Sequence, residues 1–219
     1  MNILLINSTS NQLNRSLLDF FVQNEKFSFI TALNINPGLN LETDLAIPND
    51  KYYKLKMLTC NALDTSRLSS ILSSFISENK PHFHVLYVED PKVEQQNNFL
   101  SISFNKLKER VFNELMLKIN FFQVLLKHLK SEELEIQIII IVRPYAQTKL
   151  IDEKIEKNIL FSSLHMLTTA IADEFIDFGI SCNGIVANDS LVETLNWWFF
   201  KNPEKLHGKL IADKQVIDW

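Results

Sequence analysis

With 219 residues, 46% of them hydrophobic and 22% charged, the chain is long enough to bury a large core and is not of the disordered class. A net charge of −4 argues against nucleic acid or an anionic membrane as partner. Four glycines fall far below the usual share of about 7%, which works against any phosphate loop that needs several together.

The first run, NILLI, predicts a strand, and NQLNRSLLDFFVQN (11–24) a helix with Leu13, Leu17, Phe20 and Phe21 at helical spacing. FSFITAL (27–33) is the next strand. NINPGLNLETDLAIPNDKYYKL (34–55) carries Pro37, Gly38 and Pro48, so this connection predicts a loop instead of a helix. LDTSRLSSILSSFISEN (63–79) predicts a helix with Asp64 as N-cap. HVLYV (84–88) and IQIIIIV (136–142) are apolar without alternation, as in parallel strands covered on both faces. Between them KERVFNELMLKINFFQVLLKHLKS (108–131) is a long helix. EKNILFSSLHMLTTAIADEFIDFG (156–179) is another, closed by Gly179, and ISCNGIVA (180–187) is a strand. LVETLNWWFF (191–200) is a last helix. Strands alternating with helices predict an α/β fold, a three-layer doubly wound parallel sheet of the Rossmann-like kind, in a single domain over residues 1–219.

Cys60 and Cys182 lack C-x-x-C spacing and read as buried thiols of a reducing compartment. MNILLI has no basic leader, and no apolar run approaches the roughly 18 residues of a membrane span. The expected location is the cytoplasm. His82 and His84, one residue apart, would share a side of a strand, but no third ligand stands near them in sequence and no metal site is expected. His165 lies on an apolar helix and reads as a packed histidine.

The order of segments resembles the short-chain dehydrogenase/reductase family, its 3-oxoacyl-[acyl-carrier-protein] reductases included, over nearly the whole chain. KINFFQVLLKHL resembles the family's central helix, with its asparagine at Asn120. LTTAIADEFIDFGISCNGIVAND resembles the following helix and strand through Leu167, Thr168, Ala172, Glu174, Gly179, Ile180 and Asn183. LHGKLIADKQ is similar to the last strand, entered at Gly208. The resemblance implies a nicotinamide site whose three turn glycines fall on Ser8, Gln12 and Asn14. The adenine-side aspartate falls on Asn61, and the asparagine-asparagine-alanine-glycine stretch begins at Tyr87 and runs through Glu89 and Asp90.

Side chains at the glycine positions would fill the volume that the pyrophosphate needs. No acid for a ribose hydroxyl, nor arginine for a 2′-phosphate, follows the second strand. The implied catalytic tyrosine and lysine fall on Lys157 and Phe161, and the serine at or beside Pro144. Tyr145 and Lys149 in YAQTK repeat the tyrosine–lysine spacing, but 12 residues early, about 18 Å along a helix. The family's substrate lid is reduced to residues 187–190. No cofactor is therefore expected, with NAD(P) as the alternative.

The resemblance also implies association through the two long helices, where Phe121, Phe122, Phe161, Leu164 and Met166 are apolar. Trp197, Trp198, Phe199 and Phe200 are more aromatics in a row than one buried stripe absorbs, so at least one is expected against a partner. Three functions stay open: a non-catalytic subunit pairing with itself or with an active homologue, a divergent NAD(P)H-dependent ketoreductase, and a small-molecule sensor.

Overall fold

The computed structural model describes residues 1–7, 12–35, 54–88, 103–132, 134–142, 155–187, 190–201 and 206–217. Eight strands form one sheet: β1 (Asn2–Asn7), β2 (Phe29–Asn34), β3 (Leu55–Thr59), β4 (Phe83–Val88), β5 (Ile136–Val142), β6 (Ile180–Val186), β7 (Leu210–Ala212) and β8 (Gln215–Ile217). Their order is β3-β2-β1-β4-β5-β6-β7-β8. All neighbours are parallel except β7 and β8.

The five helices are α1 (Gln12–Gln23), α2 (Thr65–Asn79), α3 (Phe104–Glu132), α4 (Ile155–Phe175) and α5 (Leu191–Phe200). Pleating sends alternate strand residues to opposite faces, so each face meets its own helices. Leu4, Ile6, Val85, Tyr87 and Ile138 pack with α2, α3 and α4. Ile3, Leu5, Leu86, Val88 and Ile139 pack with α1 and α5. The three-layer doubly wound architecture is as the segment pattern predicts.

Local chemistry sets the boundaries. Asp64 caps α2, its Oδ1 accepting from the Arg67 N–H at 3.1 Å. Asp64→Ala is expected to lower stability by about 1 kcal/mol in urea unfolding, and an unchanged midpoint would show the cap to be idle. The helical stretch at α4 ends in a short 3-10 turn, Ile176–Phe178, closed by Gly179 at φ 75°. Any side chain there would be strained by that left-handed conformation. Gly179 also accepts from the Ile136 N–H at 3.0 Å, so the turn starts β5 as it starts β6.

Two features depart from the sequence reading. The C-terminal strand is a hairpin: Asp213 (φ 50°) and Lys214 (φ 65°) make a two-residue turn that folds β8 antiparallel onto β7. Ser190 donates to Asp213, and Lys214 pairs with Glu193 at 2.7 Å, which ties the turn to the start of α5. The second departure is the fate of the aromatics. Phe121, Phe122 and Leu164 are buried inside this chain, not offered to a partner. Trp198 is buried too, while Phe199 packs on Phe27 (5.4 Å) and Phe21 (6.1 Å), and Phe200 on Phe27 (5.6 Å) under the Lys26 ammonium. Trp197, Phe199 and Phe200 stay half-buried, because adjacent helical residues point about 100° apart and meet different surroundings.

Candidate functional site

In a doubly wound sheet the ligand crevice lies beyond the C-terminal strand ends, where the strand order reverses. Here that point falls between β1 and β4. Among the residues expected there, Ser8, Tyr145 and Lys149 lie outside the described residues, as do Glu89, Asp90 and Pro144. Gln12 and Asn14 fall on the first turn of α1 and Lys157 and Phe161 on α4, but their side chains are outside the description.

The expected residues that are described make contacts within the fold. Asn61 is exposed, and its Oδ1 accepts from the Leu63 N–H at 2.9 Å while its carbonyl accepts from the Asp64 N–H at 2.9 Å. It is an Asx turn feeding the α2 cap. Tyr87 is fully buried, its ring 5.1 Å from that of Phe122 and 5.9 Å from that of Phe121. It fills the layer between β4 and α3. Asn34 and Ile35, both buried at the end of β2, offer neither carboxylate nor guanidinium; their carbonyls accept from Cys60 and Ala62. Asn120 donates its amide to the Ala62 carbonyl and so fastens α3 to the β3–α2 turn.

The titratable groups follow their surroundings. Burial pushes both thiols up, that of Cys182 beyond any physiological pH, while nearby Arg67 offsets part of the effect at Cys60. Both cysteines are free and buried, as the sequence suggests. His82 precedes β4 and is exposed, whereas His84 lies in the strand, half-buried with its ring 5.3 Å from Phe199. Desolvation first, then the N-terminal ammonium and His82, pull the His84 imidazole down to about 4. Burial also lowers His165. Among the described residues no group of three or more His, Cys, Asp or Glu could hold a metal, and no helix is long and apolar enough to cross a membrane.

One pair escaped the sequence reading. Ser69 Oγ on α2 and His128 Nε2 on α3 lie 2.8 Å apart in a groove between the helices. They are 59 residues apart in the chain, and no local spacing signals them.

No family model matches the sequence, and no curated protein matches it. Solved structures do. The NADPH-bound carbonyl reductase from chicken fatty liver superposes with a TM-score of 0.76 at 14% identity, over 100% of this chain and 98% of that one. The chain has the short-chain dehydrogenase/reductase fold. A short chain dehydrogenase from Leptospira borgpetersenii with bound NAD+ gives 0.73 at 12%, over 96% and 90%. A short chain oxidoreductase from Pseudomonas aeruginosa, described as containing an atypical catalytic center, gives 0.66 at 11%, over 93% and 76%. On this fold the β6–α5 connection is where the sequence resemblance puts a substrate lid. Here β6 ends at Val186 and α5 begins at Leu191.

Proposed function

We propose that this chain is a non-catalytic subunit on the short-chain dehydrogenase/reductase fold, which associates through α3 and α4 with itself or with an active reductase homologue. The observation that carries this reading is the β6–α5 connection, residues 187–190 only. Four residues cannot form a helical lid, and without a lid there is little to enclose a substrate or exclude water. Tyr87 and Asn61 add support, since each spends its side chain on the fold where the resembling family would spend one on cofactor. So do Lys157 and Phe161, on which the resemblance puts the family's tyrosine and lysine, and Pro144, at or beside which it puts the serine.

The described residues do not fit a bound nicotinamide dinucleotide at the adenine side, because Asn61 is committed to its own turn and the end of β2 carries no ribose-binding acid. Association is supported by the outer helix faces. Phe112 on α3 and Met166 on α4 are 57% and 70% exposed, an unusual place for large apolar side chains. A divergent NAD(P)H-dependent ketoreductase is the second reading, favoured by the NADPH and NAD+ bound in structurally similar proteins.

Calorimetric titration with NADPH and, separately, NADH tests the choice. The expected result is no saturable heat up to millimolar cofactor; micromolar binding would overturn the non-catalytic reading. Light scattering on the wild type and on Met166→Asp and Phe112→Asp tests association. An oligomer broken by either substitution supports the helix interface, and an oligomer untouched by both removes it.

A further inference from the structure

The groove between α2 and α3 encloses about 550 Å³ and is lined by Thr65, Ser69, Asn120, Gln123, Lys127 and His128 among others. It runs along the two helices from Thr65 and Asn120, beside the β3–α2 turn, to Ser131. Its walls are fastened at both ends: Asn120 bonds the Ala62 carbonyl beside the start of α2, and Lys80 pairs with Glu132 beyond its C-terminus.

Within it, the Ser69 hydroxyl and the His128 imidazole stand at hydrogen-bond distance, 2.8 Å. A hydroxyl so placed against a ring nitrogen is the nucleophile–base arrangement of acyl transfer. Gln123 and Lys127, exposed and one turn apart on α3, line the same groove and carry the amide and ammonium that would serve as donors for a developing oxyanion. We propose that this groove is a second site, in which Ser69 is acylated by small activated esters with His128 as general base.

The step balances. Ser69 Oγ forms a bond to the acyl carbon as the ester C–O bond breaks, and its proton passes to His128 Nε2 and on to the leaving alcohol. Water then attacks the acyl-serine, gives its proton to Nε2, and the proton returns to Oγ as the carboxylic acid leaves. Among the described residues no carboxylate bonds the far nitrogen of His128, so the pair is a dyad. Turnover is expected to be slow and acylation to be the visible event.

The test is labelling of the purified full chain with a fluorophosphonate, which releases fluoride on bonding to an activated serine, read by intact mass and peptide mapping. One adduct on Ser69 is expected, lost in Ser69→Ala. In His128→Gln, whose side chain still hydrogen-bonds but is a poor base, the rate should fall on the order of 100-fold or more. Ser69→Cys, matched in size, should regain adduct formation with a thiol-directed haloacetamide at a rate that depends on His128. Absence of labelling in the folded wild type, adducts spread over other residues, or equal rates in His128→Gln would each overturn the proposal. The cofactor titration is blind to all of these, so the two readings fail separately.

Discussion

Replacing Tyr87 with Asn, the residue that the resembling family carries there, is expected to lower stability by about 3–5 kcal/mol and to create no nicotinamide binding. The argument begins with position. Tyr87 pairs with Ile6 of β1 and Ile140 of β5, so it sits in the middle of the sheet, and its ring meets Phe121 and Phe122. Removing the ring leaves a void between two aromatic neighbours that are themselves fully buried and cannot collapse into it without leaving their own contacts. The incoming amide adds the penalty of a polar group in an apolar layer. Urea unfolding measures the loss. A change below about 1 kcal/mol would show that the ring is loosely held, and with it would go the view that this position has been converted from ligand contact to core.

Tyr87 also marks what the sequence could and could not reveal. The β-branched run of β5, the α2 cap at Asp64 and the left-handed Gly179 were readable because each acts through its own neighbours in the chain. The β7–β8 hairpin was not. Its turn uses Asp213-Lys214 where a glycine or asparagine would signal it, and its left-handed pair is held from outside by contacts to α5. The apolar run Trp197–Phe200 was recognised as apolar, but its periodicity could not say that Phe27 and Phe21 of the α1–β2 region would receive Phe199.

The site shows the same division. Aligned positions named Asn61 and Tyr87 as places where the resembling family spends side chains on cofactor, and Asn120 as a candidate for its catalytic set. Whether a side chain at such a place turns inward, caps a turn or reaches a ligand depends on packing partners far away in sequence. Ser69 and His128 needed the fold outright, since only the side-by-side docking of two crossover helices brings them together.

Acidification from about pH 7 to about pH 4 is expected to remove about 3 kcal/mol of stability through His84 alone. The unfolded imidazole takes a proton near its ordinary 6.5, while in the folded chain it resists until about 4. Between those values the unfolded state binds more protons, so stability falls as pH falls and levels off below the folded value. The cause is structural: His84 pairs with Ile3 of β1 in the sheet, packs edge-on to Phe199 of α5, and faces two further positive groups, the N-terminal ammonium and His82. A cation there loses water and gains repulsion. The carboxyls of Glu78, bonded by Ser74 and then Lys56, and of Glu193, bonded by Lys214, are held below their usual range. Their contribution is therefore lost only at more acid pH, after most of the histidine window has passed. Urea unfolding across this range, repeated on His84→Leu, isolates the effect. The variant should lose most of the slope between about pH 6.5 and pH 4, with a remainder from His165, whose imidazole burial also lowers; an equally sloped profile would assign the acid sensitivity to other groups.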